Sequence, residues 1–140
     1  MAAILLTILA PLAASAWIIV TRKKIGYAAL TGAAGSLAGS ILLFMAALNG
    51  AVTQLQFTGL PGMPFRLEAT EMAAVLALVV AVITTFILVY AIGYMKEEKG
   101  KLRFWSGITL FMGAMQLLVL AGDWILFVIA WEVMGFASYL

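Results

Sequence analysis

The sequence contains no cysteine and no histidine among its 140 residues. It therefore lacks the ligands for a zinc centre, a haem iron or an iron–sulfur cluster, and it can form neither a disulfide nor a Ser-His-Asp triad. No cofactor is expected in this chain, and any redox chemistry belongs elsewhere. Charge is equally scarce. Eight basic and six acidic residues make up 10% of the chain, against about 25% in soluble domains. What fills the space is apolar: 66% of residues are hydrophobic and the mean hydropathy is +1.17. Such a composition identifies a membrane protein. A spanning helix needs about 20 mainly apolar residues, so five spans use roughly 100 positions and leave little room for a soluble domain. The net charge of +2 and the pI near 9.1 read as topology signals rather than as a nucleic-acid surface. The lipid bilayer is the expected surrounding, and no nucleic acid is expected as a partner.

Five apolar runs are legible, at about residues 3–20, 26–48, 72–95, 104–121 and 124–140. The expected fold is thus an all-α, polytopic helical bundle forming one transmembrane domain. In the first run no basic residue precedes the apolar stretch, so Ala14-Ser15-Ala16 is read as part of a retained span, with a kink expected at Pro11. The second run carries Gly32, Gly35 and Gly39 with Ser36 and Ser40, a small-residue face that lets another helix approach closely. Between the second and third runs, Val52-Thr53-Gln54-Leu55-Gln56-Phe57 alternates before Gly59-Leu60-Pro61-Gly62, which predicts an extended ribbon and a turn outside the bilayer core. The segment Lys96 to Arg103 reads as a solvated charged connection. The fifth run, of 17 residues, lies at the lower edge of spanning length.

Basic residues orient this scheme. Arg22, Lys23, Lys24, Lys96, Lys99, Lys101 and Arg103 lie in the first and third connections, against Arg66 alone in the second. By the positive-inside rule the N-terminus is outside and the C-terminus cytoplasmic. Trp17, Tyr27, Tyr94 and Trp105 at the inner ends, with Trp124 at the outer end, are expected to form interfacial belts.

Among the acids, Glu68 and Glu71 sit at a span entrance, Glu97 and Glu98 in a loop and Asp123 in a turn. Only Glu132 is deep, about 12 Å along its helix. An ionisable group at mid-membrane costs at least ~2.5 kcal/mol and marks a bundle interior, a water cavity or a proton path. Desolvated carboxyls titrate nearer neutrality than those in water, as a reversible proton carrier requires. The alternative is a permanently protonated, structural carboxyl. Gly135, Ala137 and Ser138 leave room beside it, and Gln116 reads as a cross-helix hydrogen bond. There is no membrane-buried lysine and no second buried acid, so a relay needs sites from a partner.

The motifs Tyr90-Ala91-Ile92-Gly93-Tyr94-Met95, Arg103-Phe104, Met115-Gln116-Leu117-Leu118-Val119-Leu120-Ala121 and Trp131-Glu132-Val133-Met134-Gly135-Phe136-Ala137-Ser138-Tyr139-Leu140 together resemble the antiporter-like membrane subunits of complex I. The resemblance is to the N-terminal part of the distal, fifth-chain type of NADH:quinone oxidoreductase, with the Mrp antiporter large subunit and hydrogenase-linked homologues as relatives. It implies a proton-path role for Glu132 against a lysine on a later helix, and a family pattern that continues beyond Leu140. Two departures stand out. The aspartate usual at the third-span entrance falls at Thr70, beside Glu68 and Glu71, and the usual acidic-Asn turn before the fifth helix reads Gly122-Asp123.

The resemblance implies a proton- or cation-translocating subunit, or a split piece of one, in a complex-I-like respiratory assembly of the prokaryotic plasma membrane. Such a chain is not catalytic alone. Its partners would be other membrane subunits, including one that supplies the missing lysine and later helices. An Mrp-type antiporter subunit, or a structural subunit that carries no ions, are the alternatives.

Overall fold

In a computed structural model, which describes residues 2–140 apart from the side chain of residue 60, the chain forms five helices and one hairpin. The order is α1 (Ala2–Thr21), α2 (Ile25–Leu48), β1 (Thr53–Leu60), β2 (Met63–Ala69), α3 (Glu71–Tyr94), α4 (Lys101–Leu120) and α5 (Trp124–Tyr139). Helices α1 to α4 are each long and apolar enough to cross a membrane. The 16 residues of α5 are apolar too, but at 1.5 Å per residue they reach about 24 Å, short of a hydrocarbon core of about 30 Å.

The glycine face of α2 packs on α1. A Cβ at Gly39 would collide with the Thr7 side chain and come within 2.8 Å of the Ala3 carbonyl, and one at Gly32 would lie 2.5 Å from the Ala14 methyl. Only glycine permits this approach, so the small-residue face is used inside the chain rather than left to lipid. Helix α1 runs through Pro11 without interruption. Proline has no N–H to give the carbonyl four residues back, that of Thr7. The Ser36 hydroxyl of α2 takes its place, donating to the Thr7 carbonyl at 2.8 Å. In a bilayer, where water does not satisfy the backbone, this neighbouring donor is what makes the proline tolerable.

Helix α4 occupies the middle and packs against each of the other four, whereas α5 packs on α4 and touches β2. Alternating helix direction brings the connections to two ends. At one end Ile18, Ala29, Leu88, Met95 and Trp105 cluster beneath the basic connections. At the other Ile4, Leu43, Leu120 and Leu126 meet Phe65 and Leu67 of the hairpin. The hairpin is the ribbon predicted from alternation, turned at Pro61-Gly62 with Gly62 at φ +80°, a conformation that favours glycine after proline. It buries Phe65, Leu67 and Ala69 on one face.

Two expectations are corrected. The fourth helix begins at Lys101 rather than Phe104, because lysine and arginine are good helix formers and a helix end outside the hydrocarbon core tolerates their charge. Trp105 is 3% exposed and packs in the core, so it is not part of an interfacial belt. Trp17, Tyr27, Tyr94 and Trp124 do project outward.

Candidate functional site

Helix α5 is set by the residue that precedes it. The Asp123 side chain accepts from the Leu126 N–H at 2.8 Å, capping the helix, and its other oxygen accepts from the Arg66 N–H at 2.8 Å. The Arg66 guanidinium donates to the Gly122 carbonyl at 2.8 Å, and the Gly122 N–H returns to the Arg66 carbonyl at 2.8 Å. A Cβ on Gly122 would lie 2.9 Å from the Arg66 Nε and 3.0 Å from its carbonyl oxygen, so glycine lets this clasp between hairpin and α4–α5 turn close without a shift. Burial is the largest single influence on the Asp123 carboxyl and pushes its pKa up. The N–H groups of Arg66, Leu126 and Ile125 and the Arg66 charge together outweigh it, and the carboxyl is held below its ordinary range.

About two and a half turns on from this cap, Glu132 projects from the outer side of α5. It is exposed, and it lines a shallow groove of about 460 Å3 with Trp131, Gly135, Phe136 and Tyr139. Gly135 has nothing within 4 Å of where a Cβ would stand. Ala137 is turned the other way and is buried against the bundle, and the Ser138 hydroxyl donates to the Gly135 carbonyl of its own helix at 2.8 Å. Among the described residues no ion pair or hydrogen bond reaches the Glu132 carboxylate. The one deep acid of the chain thus looks away from its own bundle, not into it.

Gln116 behaves otherwise. It is fully buried on α4, and its amide donates to the Ala77 carbonyl of α3 at 2.9 Å and to the Ser36 hydroxyl of α2 at 3.4 Å. The cross-helix role read from the sequence is the one it plays. With the Ser36 to Thr7 bond it makes a polar thread through α1, α2, α3 and α4. The Gln116 Oε1 is buried without a partner.

The two departures from the family pattern have local explanations. Thr70 caps α3, its hydroxyl accepting from the Ala73 N–H at 3.2 Å, which is the same service an aspartate performs at a helix start. Glu68 accepts from Gln54 at 3.2 Å and lies 3.8 Å from the Arg66 guanidinium, and Glu71 stands in the first turn of α3. Glu68 ties down the hairpin end, and neither acid is brought to Glu132. The clasp of Arg66 on Asp123 went unread in the sequence. Its one signal was that the single basic residue of the second connection shares an end of the bundle with the single acid of the fourth.

Residues 58–105 match the family model of the chain 5 N-terminus of NADH-ubiquinone oxidoreductase, complex I. NADH-quinone oxidoreductase subunit L of Mycobacterium tuberculosis is 31% identical over 131 residues, covering 85% of this chain and 21% of that protein. The F(420)H(2) dehydrogenase subunit L of Methanosarcina mazei is 36% identical over 69 residues, or 49% of this chain and 10% of that one. Among solved structures, a chain of the membrane-bound sulfane sulfur reductase, an archaeal respiratory membrane complex, aligns with a TM-score of 0.77 at 23% identity, covering 96% of this chain and 22% of its own. That identity shows the fold alone. The chain spans about a tenth to a fifth of the length of these curated relatives.

Proposed function

We propose, from the similarity of this multi-pass membrane chain to the N-terminal part of the antiporter-like, chain-5-type subunits of complex I, that it is a proton- or cation-translocating subunit, or a separately encoded piece of one, in a complex-I-like respiratory assembly. Glu132 is its proton-path carboxylate. The observation that carries this reading is the position of Glu132, eight residues into α5 and turned outward without an internal partner. A carboxylate facing lipid at that depth costs at least ~2.5 kcal/mol, so it calls for a second protein surface or a water path to cover it. The resemblance pairs this carboxylate with a lysine on a later helix, and the surface that covers Glu132 is where that lysine belongs. The basic connections at Arg22 to Lys24 and at Lys96 to Arg103 lie on the cytoplasmic side of the prokaryotic plasma membrane, and both the N-terminus and the hairpin face out.

Glu132→Gln tests the role. Glutamine keeps the volume and hydrogen-bonding capacity but does not exchange a proton. The complex carrying the variant is expected to assemble at normal levels and to build a smaller ion gradient per redox turnover in liposomes. Unchanged pumping and turnover at full occupancy of the variant chain would make Glu132 a structural carboxyl and leave the chain an assembly subunit.

A further inference from the structure

Helix α4 presents a second surface that nothing in the proposed function uses. At the basic end, a cavity of about 620 Å3 lies between α4 and the end of α5, with Lys99 and Arg103 at its mouth, Gly107, Ile108 and Phe111 on one side and Leu140 on the other. Ile108 and Phe111 also line a second, almost wholly apolar cavity of about 510 Å3 between α3 and α4, which continues past Met115 to Val119. The two adjoin at these shared residues along one side of α4, giving a groove cationic at its mouth and hydrocarbon-like beyond Phe111.

We propose that this groove binds one anionic phospholipid, with its phosphate held by Lys99 and Arg103 and one acyl chain laid over Gly107, Ile108, Phe111 and Met115. Length fits: from Arg103 to Met115 the helix rises about 18 Å, against about 15 Å for one leaflet of hydrocarbon. Charge fits as well. Among the described residues the one salt bridge joins Arg66 to Glu68 at the opposite end, so Lys99 and Arg103 have no carboxylate partner. Glu97 and Glu98 sit in the same connection but do not line the cavity. The first turn of α4 carries no acid, and with Lys101 and Arg103 in it, the charge there opposes the helix dipole. An anion at the mouth removes that mismatch. The lipid phosphate lies at the level where spans leave the hydrocarbon, whereas a protein helix would need an acid at that end to serve as well. Gly107 is buried beside the end of α5, where a Cβ would meet the Ala137 carbonyl and the Leu140 Cβ at 3.8 Å, an ordinary contact distance.

The test uses membranes containing the chain in its native assembly, doped with phosphatidylglycerol bearing a photoreactive group on one acyl chain, or with phosphatidylcholine bearing the same group. Labelling of residues 104–119 is expected to be about thirtyfold higher from phosphatidylglycerol, as two basic side chains at about 1 kcal/mol each imply. Lys99→Gln with Arg103→Gln should bring it down to the phosphatidylcholine level. Gly107→Leu, with both charges intact, should remove labelling at residues 108–115, while Gly107→Ala keeps it and shows that the fold tolerates change at this position. Equal labelling by the two lipids would overturn the proposal. So would labelling spread evenly over α3 and α5, or photoproducts joining α4 to another protein, which would mean that a helix covers the groove.

Discussion

The seam between α1 and α2 and the outer side of α5 have opposite characters. In the seam, glycines replace side chains, and the carbonyl freed by Pro11 finds the Ser36 hydroxyl at 2.8 Å. On α5, Trp131, Glu132, Phe136 and Tyr139 project from the bundle, and the space beside Gly135 is empty. Both stretches are apolar, so hydropathy does not separate them. What separates them is whether small residues on one helix have a partner of matching shape in the same chain. The seam is a finished interface, whereas the α5 face has no counterpart among the described residues.

The sharpest way to break this comparison is to place the same side chain on both surfaces. Gly39→Leu drives a branched side chain into Thr7 and the Ala3 backbone. Overpacking of this kind costs about 1–3 kcal/mol or more, and since both obstacles belong to a helix core, loss of the folded chain from membranes is expected. Gly135→Leu meets nothing within 4 Å in the chain itself. Normal amounts of folded chain are expected, with loss of its association with partner subunits. Quantifying each variant in membranes and in the purified assembly checks both. Loss of folded chain for Gly135→Leu would mean that the α5 face is not open.

A smaller effect is expected inside the seam. Ser36→Ala leaves the Thr7 carbonyl without its donor, and an orphaned buried acceptor costs about 1–3 kcal/mol. Pro11→Ala returns the missing N–H to that carbonyl. The cost of Ser36→Ala should therefore shrink in the Pro11→Ala background, and a double-mutant cycle on thermal unfolding in detergent measures the coupling. Additive effects would show that the proline and the serine are independent.

The sequence made some of this legible and hid the rest for identifiable reasons. Hydropathy located the helices to within a few residues, since the bilayer demands long apolar runs, and alternation around Pro61-Gly62 located the hairpin. Helix starts were harder, because Lys101 and Arg103 read as loop by charge while their backbone is helical. Trp105 was misplaced for a related reason: proximity to a span end says nothing about which side of the helix a residue occupies. The depth of Glu132 was readable from spacing, but its outward direction was not, since that depends on which side of α5 meets α4. The bond from Ser36 to Thr7 and the clasp from Arg66 to Asp123 join residues 29 and 57 positions apart, and nothing local announces them.

The clasp gives the next effect in size, and one that depends on pH. Asp123→Ala removes the cap of α5 together with the partner of the Arg66 N–H, at a cost of about 1 kcal/mol. Asp123→Asn keeps the cap but not the charge, so it should cost less. Because the folded carboxyl is held below its ordinary range, its stabilising contribution is fully present above the unfolded value, about 3.9, and is lost as pH falls through the folded value. Hydrogen exchange at the N–H groups of Arg66 and Leu126 should accelerate in acid beyond the intrinsic trend in the native chain, and Asp123→Asn should abolish that excess. Equal acid sensitivity in both would assign the effect to another carboxyl.

The smallest effect is expected at the largest of the fully buried polar side chains among the described residues. Gln116 donates to Ala77 and Ser36, yet its Oε1 is buried with no donor. Replacing it with leucine, of similar volume, forfeits hydrogen bonds worth about 1 kcal/mol net but also relieves an unpaired acceptor whose burial costs about 1–3 kcal/mol. The Ala77 carbonyl sits within α3, where the helix supplies its own donor, and the Ser36 hydroxyl keeps its bond to Thr7. Little is therefore left unsatisfied by the change. Gln116→Leu should leave thermal stability in detergent within about 1 kcal/mol of the native chain, or raise it, in contrast to Ser36→Ala one hydrogen bond away. A loss as large as that of Ser36→Ala would mean that the Oε1 is satisfied after all, by a group held inside the bundle, and that the thread through the four helices is a closed network.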